Sequence, residues 1–176
     1  MLPACGAAGA RPGAPAAAED PGLELALRGA DGSWLHVGDL RGRPLLLFFF
    51  ATYDPTSQAA FRPVTSFAEA HADDARVLGV AAQPDARAFL GAFEAAVAPP
   101  FPLAYDADDR VRSGESAVGA LPGVPSFLML DARGEIVGNH VGFPPREVLE
   151  VLLDAALARG GIEEERDVPL LSPSLR

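Results

Sequence analysis

The stretch Leu45-Leu46-Leu47-Phe48-Phe49-Phe50, followed at once by Ala51-Thr52-Tyr53-Asp54-Pro55-Thr56-Ser57, decides how the chain is read. Six consecutive bulky apolar residues leave no polar face, which suits a central strand covered on both sides. Asp54 is a residue type that caps helices, and Pro55 fits the first helical turn. Ala60, Val64, Phe67, Ala68 and His71 then recur at helical spacing, with Pro63 expected to kink the segment. A buried strand therefore feeds directly into a helix.

Working outward, Leu23, Leu25 and Leu27 alternate with Glu24 and Ala26, the pattern of a strand with one buried face. Asp31-Gly32 signals a turn, and Ser33 to Val37 reads as the return strand of a hairpin. Beyond the first helix, Arg76 to Ala82 predicts a strand and Asp85 to Ala96 a helix. Phe101 to Tyr105 is a short extended piece, and Asp108 to Glu115 a weak helix. Ser126 to Leu130 and Glu135 to Val141 form a second hairpin about the turn at Asp131-Ala132-Arg133-Gly134. Pro145 to Leu157 is an amphipathic helix expected to end at Gly160-Gly161. Strand–helix–strand alternation implies a parallel portion with helices on its faces, and the hairpins add antiparallel strands. The fold class is α/β with a mixed sheet.

The chain has 176 residues, 49% hydrophobic and 22% charged, enough for one domain with a real core. Residues 1–20 are dominated by Ala, Gly and Pro and are expected to be a disordered tether, because they can bury too little surface to offset their ordering entropy. Residues 21–160 are read as the domain and 161–176 as a tail. The net charge of −10 disfavours nucleic-acid partners, which repel acidic surfaces. The longest apolar run, Leu45 to Ala51, is too short to span a bilayer. All 14 basic residues are arginine, which excludes Schiff-base lysine chemistry and a Walker-type phosphate loop. The single cysteine, Cys5, excludes an intrachain disulfide, a CxxC pair and a multi-cysteine zinc site.

Several segments together resemble a known family. They are Val37-Gly38-Asp39-Leu40-Arg41-Gly42-Arg43-Pro44 running into Leu45 to Tyr53, then Pro102 to Asp108, then Gly123-Val124-Pro125-Ser126-Phe127-Leu128-Met129-Leu130-Asp131, and Gly134-Glu135-Ile136-Val137 with Gly142-Phe143. Their order and spacing are similar to the thioredoxin-like redoxins, especially the membrane-tethered TlpA-like thiol–disulfide oxidoreductases of bacterial envelopes. The likeness covers residues 23–158. It implies a thioredoxin-like three-layer sandwich, a mixed β-sheet flanked by helices with an N-terminal β-hairpin. It also implies a cis peptide bond at Val124-Pro125, beside which such proteins pair with an extended substrate.

The departure from the family is at its reactive corner. The family carries Trp-Cys-x-x-Cys where the strand meets the helix, and the helix N-terminus there stabilises the attacking thiolate. Aligned from the strand, Asp54 and Ser57 stand for the two cysteines; aligned from Pro63, Pro55 and Gln58 do. Neither register supplies a sulfur. Phe48 stands where many members bury an Asp or Asn that helps move protons.

The candidate residues carry competing readings. Asp54 is a functional carboxylate or, as we favour, an N-cap. Ser57 as a nucleophile needs a base and an oxyanion site, and no Gly-x-Ser-x-Gly context surrounds it. His36, His71 and His140 are scattered and lack the cysteine co-ligands of copper-delivery relatives, so no metal or other cofactor is expected. Leu2-Pro3-Ala4-Cys5 resembles a lipoprotein cleavage box without a leader ahead of it, which leaves a lipid anchor at Cys5 or an ordinary thiol. Glu163-Glu164-Glu165 is a partner-binding tail or a solvated helix exit. The expectation drawn from these readings is a non-redox module that binds an extended peptide or protein across Tyr53, Asp54, Thr56, Ser57, Val124 and Pro125. Its place would be the cell envelope, periplasmic or lipid-anchored, with the cytoplasm as the alternative. The rival is a redoxin-family oxidoreductase, exchanging disulfides or reducing peroxide through Cys5 or a partner's cysteine.

Overall fold

In the computed structural model, which describes residues 22–164, the hydrophobic stretch Leu45–Phe50 forms strand β3 and every one of its residues is buried. Before it come β1 (Ala26–Gly29) and β2 (Trp34–His36), followed by a 3-10 turn over Val37–Leu40. After it come α1 (Pro55–Ala70), β4 (Arg76–Ala81), α2 (Ala86–Val97), β5 (Leu103–Tyr105) and α3 (Arg110–Ser113). Strands β6 (Ser126–Leu130) and β7 (Ile136–Val141) and helix α4 (Arg146–Glu164) complete the fold. All seven strands join one sheet in the order β2-β1-β5-β4-β3-β6-β7. β3 runs parallel to β4 and antiparallel to β6, so both its edges are hydrogen-bonded, as the absence of a polar face demanded.

The pleat divides β3 between two cores. Leu46, Phe48 and Phe50 face one side, where they meet Phe61, Val64 and Phe67 of α1, Leu90 of α2 and Leu149, Leu153 and Ala156 of α4. Leu45, Leu47 and Phe49 face the other, against Leu23, Leu25, Leu27, Val37 and Val111. Helices on one face and the N-terminal segment with α3 on the other give three layers. Each fully buried Leu or Phe contributes about 1.5–3 kcal/mol of transfer free energy.

The first hairpin closes as its sequence suggested. Gly32 adopts φ +82°, and its N–H donates to the Gly29 carbonyl at 2.9 Å. Leu23 and Leu25 are buried as expected but lie just ahead of β1. Helix α1 continues through Pro63 as one element, and the bond that proline cannot donate would have gone to Ala59, on the exposed side. Two local readings differ. The segment read as a weak helix keeps a single turn, Arg110–Ser113. Gly160-Gly161 does not end α4, which continues to Glu164: glycine weakens a helix by about 1 kcal/mol but does not forbid its dihedrals. The tether read at 1–20, Cys5 and the end of the tail lie outside the described residues, as do the side chains of Glu163-Glu164-Glu165.

Candidate functional site

The corner between β3 and α1 is built by Asp54. Its backbone is extended (φ −86°, ψ 118°), and its Oδ2 accepts the Ser57 N–H at 2.6 Å, with Pro55 in the first turn. A negative carboxylate therefore occupies the positive end of α1, which is the N-cap reading of Asp54. Ser57 is turned inward and fully buried, and its hydroxyl accepts the Ala51 N–H at 3.3 Å. That burial corrects one expectation: Ser57 can form no part of a contact surface, because helical geometry rotates it toward β3. Among the described residues no base is hydrogen-bonded to its hydroxyl, so nothing there activates it as a nucleophile.

Two glutamines hold the corner: Gln58, which the sequence offered only as a stand-in for a cysteine, and Gln83, which the sequence reading passed over. Thr52 donates its N–H to Gln83 Oε1, and the Thr52 carbonyl accepts from Gln58 Nε2 at 2.6 Å. Gln58 lies six residues along the chain and could have been found from helix spacing; Gln83 lies 31 residues away and had no local signal. Between these clamps Tyr53 is 68% exposed. Arg112 pairs with Asp109. The Asp109 carboxylate is held below its ordinary value of 3.8 by hydrogen bonds from Arg112.

The Val124–Pro125 peptide bond is cis. The register pairs Phe49 with Ser126, so Pro125 sits beside the end of β3, at the same end of the sheet as Asp54. Pro125 is buried and Val124 half-buried. The structure therefore brings Tyr53, Asp54, Thr56 and Val124 to one end of the sheet with accessible surface, over the buried Ser57 and Pro125.

Beneath the corner Phe48 is fully buried, stacked on Phe127 (5.0 Å between centroids, 5° between planes) and edge-on to Phe61 at 5.0 Å. The histidines are apart in the fold: His36 stacks with Trp34, His71 Nε2 lies 2.8 Å from Glu150 Oε2 at the end of α1, and the His140 ring contacts the Phe143 carbonyl at 3.2 Å. Among the described residues no three His, Cys, Asp or Glu side chains gather as metal ligands. No described helix is long and apolar enough to cross a membrane.

A family model described as Redoxin matches residues 11–156. Among solved structures the chain is similar to a protein assigned as the thiol:disulfide interchange protein DsbE from Chlorobium tepidum, at 26% identity and TM-score 0.64, covering 78% of this chain and 96% of that one. It is similar to a protein assigned as a thioredoxin from Neisseria meningitidis at 21% identity and TM-score 0.69, covering 85% and 97%. It is also similar to the exposed lipoprotein thioredoxin of Streptococcus pneumoniae at 20% identity and TM-score 0.62, covering 74% and 98%. The two likenesses under 25% identity speak for the fold alone. No curated protein matches the sequence.

Proposed function

The chain belongs to the redoxin family, and from that premise we propose that it is a non-redox member whose corner binds an extended peptide or protein segment. One observation carries this reading: the Asp54 carboxylate holds the α1 N-terminus at the Ser57 N–H, the place where the family's chemistry calls for a thiolate. The helix dipole is already satisfied, and the aromatic floor at Phe48 offers no proton relay. What remains is the architecture for recognition. An exposed ring at Tyr53, the hydroxyl of Thr56 and the half-buried Val124 ahead of the cis proline lie at one end of the sheet, open to a chain in extended conformation.

Two measurements test the reading. The full chain is expected to leave the rate of insulin reduction by dithiothreitol unchanged. Turnover that vanishes with Cys5→Ser would instead make the protein an oxidoreductase working through its only thiol. Titration of the isotope-labelled chain with an unfolded, thiol-blocked polypeptide, such as reduced carboxymethylated α-lactalbumin, is expected to move the amides of Tyr53, Thr56 and Val124. Shifts scattered over the surface and sparing that edge count against the binding role. For location, the pneumococcal relative is an exposed lipoprotein and Cys5 follows a small residue, which supports the cell envelope with a lipid tether at Cys5. Radiolabelled palmitate incorporated by the wild type and not by Cys5→Ser is the expected result; equal labelling of both removes the tether.

A further inference from the structure

A cavity of about 680 Å³ opens beside the corner, outside the C-terminal ends of β4 and β5, where open α/β sheets hold their ligands. Three loops distant in sequence build it: the β1–β2 turn, the β4–α2 connection and the segment after β5. Its size falls in the range of small-molecule sites. Two side chains more than nine-tenths buried line it with polar atoms left over. Gln83, 4% exposed, uses Oε1 on Thr52, while its Nε2 has no partner among the described residues. Tyr105, 8% exposed, has no hydrogen-bond partner for its hydroxyl among the described residues. Both residues line the cavity, and neither atom is among the described side-chain atoms sealed from solvent without a partner.

The charged groups around the cavity divide into engaged and available. Arg28 lies 3.5 Å over the Trp34 ring and donates to the Gly32 carbonyl. Asp31 accepts from Ser33, Asp106 from the Asp108 and Val111 N–H groups, and Asp109 from Arg112. Arg87 and Asp85 are exposed and make no ion pair among the described residues. Asp85, at the N-cap of α2 with φ +55°, gives no side-chain cap, so the Ala86 and Arg87 N–H groups at the head of this 12-residue helix are also available. One wall thus offers donors to an anion: Gln83, Tyr105, Arg87 and the helix N-terminus. The whole lining holds four aspartates and two arginines, a formal charge of −2, which opposes a bare anion and favours a ligand that also carries a positive group.

We propose that this cavity binds a small zwitterion, an α-amino acid or dipeptide, with its carboxylate at the α2 N-terminus near Arg87, Gln83 and Tyr105 and its ammonium toward the aspartates. The site is separate from the peptide edge, and its test does not depend on that reading. The isotope-labelled full chain is titrated with glycylglycine, and in parallel with N-acetylglycine, which lacks the ammonium, and glycinamide, which lacks the carboxylate. Saturable shifts at Gln83, Asp85 to Arg87 and Tyr105 to Ala107 are expected with glycylglycine, with at least tenfold weaker binding of either blocked compound. Tyr105→Phe keeps the buried ring, and with Arg87→Ala is expected to weaken glycylglycine at least tenfold; Tyr53→Ala is expected to leave it unchanged. No saturable shift at these amides, equal binding of a blocked compound, or loss of binding in Tyr53→Ala alone overturns the assignment.

Discussion

The corner at Asp54 and the cavity at Tyr105 lie at the same end of one sheet, share Gln83, and are opposites in chemistry. At the corner the polar groups answer one another: Asp54 takes the Ser57 N–H, Ser57 takes the Ala51 N–H, and two glutamines hold Thr52. It rests on stacked phenylalanine rings. At the cavity the buried amide and hydroxyl are left open, and the charged rim is only partly paired. A family defined by a reactive corner has here a corner that is internally complete, and its unsatisfied hydrogen-bonding capacity lies two strands away.

The contrast can be broken most forcibly from below. Phe48→Ala removes the ring stacked on Phe127 and is expected to destabilise the fold by about 3–5 kcal/mol, read as a lower denaturation midpoint with an unchanged slope. Phe48→Asn adds an unsatisfied buried amide to that cavity and should fall at the upper end or beyond it. If either is nearly neutral, the corner does not depend on a dry floor. Removing the cap is gentler: Asp54→Ala frees the Ser57 N–H and is expected to cost about 1 kcal/mol. Asp54→Cys with Ser57→Cys sharpens the comparison, since two thiols replace the cap and its partner. Oxidation should join them, read as loss of two titratable thiols, and failure to close would mean that Asp54 and Ser57 do not occupy the family's cysteine positions.

The smallest effect is electrostatic and lies on the cavity side. Asp109 has its folded-state value lowered by Arg112, so the pair stabilises the fold above the ordinary carboxylate value of 3.8, and that contribution fades as pH falls through the lowered value. Arg112→Ala should therefore lower stability slightly at neutral pH and flatten the acid limb of a stability–pH profile below pH 3.8 by the same small amount, small because the pair is exposed. An unaltered acid limb would show that Asp109 takes its environment from elsewhere.

Much of this was legible along the chain because its causes are local. β3 announces itself through six apolar residues, the α1 cap through Asp54-Pro55 and the first hairpin through Asp31-Gly32, whereas the cis bond at Val124-Pro125 is implied by the family resemblance and by no local signal. The burial of Ser57 was not, since it turns on the rotation of a helix about its axis relative to a sheet. Gln83 was not, because its partner comes from the end of another strand. The cavity was hidden for the same reason: Arg87 and Tyr105 become neighbours through sheet order, which composition and periodicity do not encode. The end of α4 was misjudged because two glycines weaken a helix without stopping it.

The double clamp on Thr52 has a thermodynamic corollary. With both backbone groups of that residue tied down by side chains, the peptide leading into Tyr53 is immobilised before anything touches it. A molecule landing on the phenol need not freeze a wandering loop, so the entropic toll of association falls mainly on the visitor. The perch is stiff, and selectivity there would be decided by the shape and stiffness of what alights on it.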